Sequence, residues 1–301
     1  MISRVVLPDE RASARSIALA QAEGLDLDPA ARQKVANVVE VLARPATTLI
    51  LRGVHDSTGQ FLELIALRTT ADVAELRDVA FELDAWTSPT REHVVVARVG
   101  TRCADGTQLG LVAAPYPGEQ VSGDGVWIDR RDTHLRVAVI DGLGHGAAAH
   151  AATAVALQAL DSTRSRPLSA TITALHEALR PTRGAAIGLG ELDRSTRAFE
   201  WIGVGNIAGV VCDRAGVPRG LVSHNGTLGQ QMTRSQPIVY EWGAGRSGVF
   251  HTDGIASSFQ LTRYPGLEQH DAALLAAVLF RDQRRGHDDA TVLVLREVAD
   301  G

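Results

Sequence analysis

The residues of this chain best placed for chemistry are four aspartates, Asp124, Asp141, Asp253 and Asp288. Each falls where an apolar, strand-like run meets a turn, in the phrases Ser-Gly-Asp-Gly (122–125), Asp-Gly-Leu-Gly-His-Gly (141–146), Thr-Asp-Gly (252–254) and Asp-Asp-Ala-Thr (288–291). Taken singly, an Asp-Gly pair is a turn former. Carboxylates that converge without matching bases repel one another, so such a cluster destabilises a fold unless cations offset the charge. All-oxygen ligands suit manganese or magnesium, and the lack of Cys and His at ligand spacing argues against zinc. The glycines after Asp141, at 142, 144 and 146, let backbone carbonyls face the same point as the carboxylate. Two ions about 3.5–4 Å apart, bridged by one carboxylate, would lower the pKa of a shared water and clamp a phosphoryl group. The expected reaction is hydrolysis of a phosphate ester without a covalent intermediate.

The elements that must position these groups are legible in the hydrophobic pattern. Strands are expected at Val126–Asp129 and Leu135–Ile140, the latter delivering Asp141 into its turn, and an Ala-rich helix from about Ala147 to Leu160. A helix over Leu168–Leu179 ends at Pro181, and Thr182-Arg-Gly-Ala-Ala-Ile-Gly-Leu189 reads as a turn into a buried strand. Phe199–Asp213 is a pair of strands broken at Gly203-Val-Gly-Asn206, with Gly205 and Asn206 read as turn structure. A strand enters Asp253 from Gly248, a helix covers Asp271–Phe280, and a last strand runs from Val292 to Arg296. Towards the N-terminus, helices are expected over Pro8–Leu25, over Asp28–Ala43 with Asp28 as N-cap and Pro29 in the first turn, and over Ala71–Leu83. Strands are expected at Thr47–Arg52, Phe61–Leu67, Val94–Val99 and Gly110–Ala114, and Trp86–His93 reads as a linker. The pattern therefore predicts a small α/β domain over residues 1–90 and a larger α+β domain over 93–301.

Composition bounds the function classes. The 301 residues are 45% hydrophobic and 22% charged, ordinary for a soluble globular protein. A formal net charge of −5 supplies no general drive towards nucleic acid. No apolar run reaches the roughly 18 residues of a membrane span, and residues 1–10 carry acidic groups and a proline rather than a signal peptide. With Cys103 and Cys212 as its only cysteines, the chain is expected in the cytoplasm. Lys34 is the sole lysine, which excludes a GxxxxGK[ST] phosphate loop.

The order and phrasing of the four aspartate motifs resemble the PPM-type metal-dependent protein phosphatases, specifically the SpoIIE and RsbX branch of bacterial partner-switching pathways. The resemblance covers about residues 93 to 298, and Asp-Gly-Leu-Gly-His-Gly with its alanine-rich helix is its most specific part. It implies a four-layer αββα sandwich and two Mn²⁺ or Mg²⁺ ions. Asp141 would be the bridging ligand, the Gly142 carbonyl and Asp124 would complete one metal, and Asp253 and Asp288 would hold the other, with Asp289 supporting Asp288. It also implies a phosphoserine or phosphothreonine substrate on a small STAS-domain anti-anti-sigma protein, with docking expected through residues 220–236 and the first domain. Two side chains stay open between readings. His145 is either a proton donor to the leaving serine oxygen or a ring packed against the turn, and Arg183 is either a phosphate contact or a surface arginine ending a helix. Val-Leu-Ala-Arg-Pro-Ala (41–46) is similar to a motif of GHKL-type anti-sigma-factor kinases, and implies a degenerate domain in which Val41 and Pro45 replace the catalytic base and the magnesium-binding asparagine. The competing expectation for the whole chain is a phosphatase fold kept as a scaffold for partner-switching proteins with negligible turnover.

Overall fold

The computed structural model describes residues 2–6, 11–43, 48–56, 59–69, 73–77, 79–80, 82–88, 93–102, 106–131, 133–213, 218–232, 236–243 and 245–297. In chain order the elements are β1 (Ile2–Val6), α1 (Arg11–Gly24), α2 (Pro29–Ala43), β2 (Thr48–Asp56), β3 (Gly59–Thr69), β4 (Glu82–Thr87), β5 (His93–Arg102), β6 (Thr107–Ala114), β7 (Asp124–Arg130) and β8 (His134–Gly142). They continue with α3 (Gly146–Thr163), α4 (Leu168–Leu179), β9 (Ala185–Asp193), β10 (Ala198–Val204), β11 (Ala208–Cys212), β12 (Pro218–Gly220), β13 (Ser223–His224), β14 (Gly226–Thr227), β15 (Gln231–Met232), β16 (Ile238–Glu241), β17 (Ser247–His251), α5 (Ala272–Gln283) and β18 (Ala290–Glu297). No helix among the described residues is long and apolar enough to cross a membrane.

The chain divides into two compact units, one of residues 1–112 and 263–281, the other of residues 113–262 and 282–301. In the first unit an antiparallel sheet runs in the order β1-β2-β3-β5-β4. Helices α1 and α2 bury Ala14, Ala18, Val35, Val38 and Leu42 against Leu49, Leu62, Leu64 and Val95 of that sheet. Asp28 caps α2 as expected, accepting the Ala31 N–H at 2.7 Å. The domain division expected at residues 90 to 93 falls between β4 and β5, which pair from Glu82↔Arg98 to Thr87↔His93. The helix expected over 71–83 is replaced by a short 3₁₀ turn, Val73–Leu76, and by β4. There Leu83 and Ala85 alternate onto the core, and pairing with β5 overrides local helix propensity. Of the phrase Val41–Ala46, residues 44–46 lie outside the described residues, as does Cys103.

A buried charge network ties this unit together. Arg98 Nε donates to Glu63 Oε2 at 2.8 Å, Nη1 to Glu82 at 2.6 Å and Nη2 to Asp271 at 2.5 Å, while Arg52 Nε holds the other Glu63 oxygen at 2.7 Å. Burial alone would lower the Arg98 pKa, but the carboxylates of Glu63, Asp271 and Glu82 outweigh it and raise it. Removing Arg98 takes the compensating charge from Glu63 and Asp271, which stay largely out of water, and leaves Glu63 to Arg52. Arg98→Met is therefore expected to destabilise the protein by about 3–5 kcal/mol in urea unfolding. A loss below about 1 kcal/mol would show that solvent reaches the network.

In the second unit, a sheet of order β13-β10-β9-β8-β7, with β16 also pairing β10, carries α3 and α4 on one face. Ala152, Ala156, Leu160, Ile172 and Leu175 of the helices meet Ala138, Ile140, Ile187 and Ile202 of the sheet. Another antiparallel sheet runs through β12, β11, β17 and β18. Aromatic rings fill the space between the sheets. Phe199 and Trp201 of β10 lie 5.6 and 5.3 Å from Phe250 of β17, and Trp242 lies 5.2 Å from Phe199. Gly188 on β9 makes room for this layer, since a Cβ there would lie 2.2 Å from the Trp201 ring. The architecture is α+β with stacked sheets, as the sequence predicts.

Candidate active site

Strand pairing brings the first two aspartates together. In the register of β7 with β8, Asp124 stands directly opposite Asp141, and β8 continues against β9 with Asp141 opposite Ala186 and Gly142 opposite Ala185. Apolar residues fix this register because a slip by one would turn Val137, Val139 and their neighbours to the wrong face. At Gly142 the backbone lies so close to α3 that a Cβ would sit 2.4 Å from the Ala149 carbonyl. The alanines of α3 thus serve close approach, letting the helix rest on the turn that carries Asp141.

The remaining aspartates arrive from the other sheet. Asp253 lies in the turn after β17, and Asp288 and Asp289 lie just before β18. Asn206, in the turn between β10 and β11, joins the two groups: its Nδ2 donates to Asp141 Oδ2 at 3.1 Å and to Asp253 Oδ2 at 2.7 Å. Thr252 is buried beside them and donates from Oγ1 to Asp124 Oδ2 at 2.8 Å, while its own Oγ1 accepts the Thr291 N–H at 3.0 Å. Asp288 Oδ1 accepts the Asp289 N–H at 2.9 Å. These hydrogen bonds to Asp124, Asp141, Asp253 and Asp288 all come from neutral donors.

Asp289 has a different task. It is 3% exposed, and its two oxygens accept the backbone N–H groups of Tyr116 at 2.8 Å and Gly123 at 3.0 Å, so it clamps the 116–123 loop. His145, the N-cap residue of α3, is half exposed; its ring stacks on Tyr116 and its Nδ1 lies 3.1 Å from Glu119 Oε1. Arg183 is exposed beside the Asp141 turn, its Nη1 3.1 Å from where a Cβ on Gly144 would be. His251 is buried with Nδ1 2.8 Å from the Thr252 carbonyl, and burial lowers its pKa.

Electrostatics mark the cluster as strained. Burial, with Asp141 adding to it, raises the Asp124 pKa well above the usual carboxylate range, against the opposing Thr252 hydroxyl. Asp141 is raised to about 7 by burial and then by Asp253, with the Asn206 amide opposing. Asp288 is raised by burial and by Asp253. Asp124 Oδ1 is buried with no hydrogen-bond partner, although such atoms normally have one. An orphaned carboxylate oxygen among like charges fits a divalent cation. Among the described residues no set of three or more His, Cys, Asp or Glu side chains is already drawn in to ligand distance. The sequence reading took Asn206 as turn structure and did not single out Thr252, Tyr116 or Glu119. For Thr252, the only local signal is its place in Thr-Asp-Gly.

A two-sheet α+β unit with carboxylates gathered at the strand ends is the fold of the PP2C phosphatases, and solved structures of that class superpose on this one. A structure of RsbX in complex with magnesium has a TM-score of 0.56 at 20% identity, covering 64% of this chain and 96% of the other. The PP2C domain of SpoIIE from Bacillus subtilis with a fragment of its regulatory domain gives 0.54 at 17% identity, covering 98% and 94%. A structure from work on the bacterial stressosome as a modular system adapted to control secondary messenger signalling gives 0.57 at 26% identity, covering 63% and 99%. In sequence, phosphoserine phosphatase RsbX of Bacillus subtilis (strain 168) is 24% identical over 138 residues, 46% of this chain and 69% of RsbX. The family model described as Stage II sporulation protein E (SpoIIE) matches residues 131–297, and the chain belongs to that family. The match contains Asp141, Asp253, Asp288 and Asp289, while Asp124 lies before it. The GHKL-like reading of residues 1–90 is not supported by any of these similarities.

Proposed function

We propose that this chain is a metal-dependent protein serine/threonine phosphatase that acts on a regulatory phosphoprotein of a partner-switching pathway, a phosphorylated STAS-domain protein. The observation that carries the reading is the buried, unpartnered Oδ1 of Asp124 directly opposite Asp141. Two ions, Mn²⁺ or Mg²⁺, would be held by this chain, with Asp141 shared between them, Asp124 and the Gly142 carbonyl on one side, and Asp253 and Asp288 on the other. When bound, such ions supply Lewis acidity and an activated water. The chain's own groups do the rest. Asn206 orients the Asp141 and Asp253 carboxylates, Thr252 fixes Asp124, and Asp289 keeps the 116–123 loop against the site rather than ligating. Arg183, with its Nη1 beside Gly144 of the Asp141 turn, would take phosphate oxygens with its planar guanidinium.

The RsbX and stressosome similarities support a partner-switching substrate. The test is phosphate release from a panel of phosphorylated STAS proteins of the same cell, with Mn²⁺, Mg²⁺ or EDTA, beside calorimetric titration of Mn²⁺. Turnover that needs metal and a stoichiometry of two are expected. Turnover undiminished in EDTA would overturn the mechanism, and metal binding without turnover of any panel member would favour a scaffold.

A further inference from the structure

The Asp253 turn is held by the segment that leads from α5 to Asp288. The Arg285 N–H donates to the Gly254 carbonyl at 2.8 Å, and Arg284 forms a backbone bridge with Ile255. The Arg285 carbonyl accepts the His287 Nδ1 proton at 3.0 Å, and Gly286 completes the turn at φ +78°, a conformation that favours glycine. The two arginines of this turn divide the work. Arg284 Nη2 donates to the Pro115 carbonyl at 2.9 Å and so ties the turn to the chain just ahead of the 116–123 loop. Arg285 is exposed, and its guanidinium has no hydrogen bond or ion pair among the described residues. Its positive charge acts on His251, two residues before Asp253. The backbone of Arg285 is thus pinned at both ends while its charged head is free.

We infer that Arg285 is a specificity-determining residue that selects substrates carrying a carboxylate close to the phosphorylated residue in the polypeptide; this rests on the phosphatase reading above. Asn206 spans from Asp141 to Asp253, so a phosphate held at these carboxylates has Arg183 at one turn and Arg285 at the other. Polypeptide continuing from the phosphoserine on that second side passes Arg285. The guanidinium is planar and weakly hydrated, which suits a carboxylate. Because the pair forms at the exposed rim, it steers binding and sets a preference without supplying large affinity. The effect therefore belongs in KM, and salt should screen it. A lysine in the same flanking position meets a like charge, so the discrimination has a repulsive arm as well as an attractive one.

The test compares the full chain, Arg285→Ala and Arg285→Glu with Mn²⁺ on phosphoserine peptides that carry glutamate, glutamine or lysine at each position flanking the phosphoserine. The reference substrate is p-nitrophenyl phosphate, which has no flank. At low salt the wild type is expected to prefer glutamate over lysine by about tenfold in kcat/KM at one or more positions, through KM. Arg285→Ala should cut that preference to about twofold or less, Arg285→Glu should invert it, and roughly 1 M salt should erase it in the wild type. No glutamate preference at any position, or a preference that survives Arg285→Glu, would overturn the inference and leave the phosphatase reading standing. So would an equal loss for Arg285→Ala on p-nitrophenyl phosphate, which would put Arg285 on the phosphate itself, and so would turnover of the aryl ester but of no peptide. A wild type inert on every substrate with either metal would remove that reading, and this inference with it.

Discussion

Asp141→Asn is expected to reduce metal-dependent turnover on the order of 10³-fold or more and to abolish tight Mn²⁺ binding. Asp141 is the carboxylate on which both halves of the cluster converge, opposite Asp124 in the β7–β8 register and joined to Asp253 through the Asn206 amide. Asparagine keeps the side chain's size and can still accept from Asn206, so the change removes charge with little change of shape. A cation drawn by several carboxylates would lose the one that neighbours all the others, and Lewis acidity would go with it. The measurement is kcat/KM on p-nitrophenyl phosphate across a Mn²⁺ titration, with calorimetry on the same samples. If Asp141→Asn kept metal-dependent turnover within about tenfold of wild type, Asp141 would not be a shared ligand.

Much of this site can be read from the chain because its aspartates sit at the ends of strongly patterned strands. Leu135–Ile140, broken only by Arg136, and Gly248–His251 are largely apolar runs that lead into Asp-Gly, and such runs betray both the strand and where it ends. The helix over Leu168–Leu179 is found at those bounds because Pro167 and Pro181 flank it. What escapes a sequence reading is the neutral shell. Thr252, Asn206, Tyr116 and Glu119 matter through residues distant in the chain, Asp124, Asp141, Asp289 and His145, and no local periodicity encodes such a meeting. The first unit is less legible for the same reason. β1 is a short strand that finds its pairing only with β2, and segment 263–281 joins this unit through Asp271 on Arg98, a contact between residues far apart in sequence. Asp289, expected to support Asp288, accepts the backbone N–H groups of Tyr116 and Gly123 as well, contacts distant in the chain that no local pattern encodes.

The same carboxylate that catalysis needs should weaken the metal-free fold, with a definite dependence on pH. Asp141 titrates at about 7 in the folded protein, because of burial and then Asp253, whereas an unfolded aspartate titrates near roughly 3.9. A folded pKa above the unfolded one means that the group's contribution to stability is full below the unfolded value and is lost as pH rises through about 7. Asp124 and Asp288 are shifted in the same direction, so in EDTA the protein should become less stable between about pH 4 and 7. Asp141→Asn cannot charge, and so in EDTA at about pH 8 it should exceed wild type by a few kcal/mol, a difference that vanishes near about pH 4. Mn²⁺ should reverse the order: it binds the deprotonated wild-type cluster, its stabilisation grows with pH, and the variant gains little from it. Urea unfolding of both proteins at several pH values, with EDTA or Mn²⁺, measures all of this at once. A metal-free wild type as stable as Asp141→Asn at about pH 8 would mean that water, or Asn206 alone, already relieves the repulsion between Asp141 and Asp253, and the case for an ion between them would lose its physical basis.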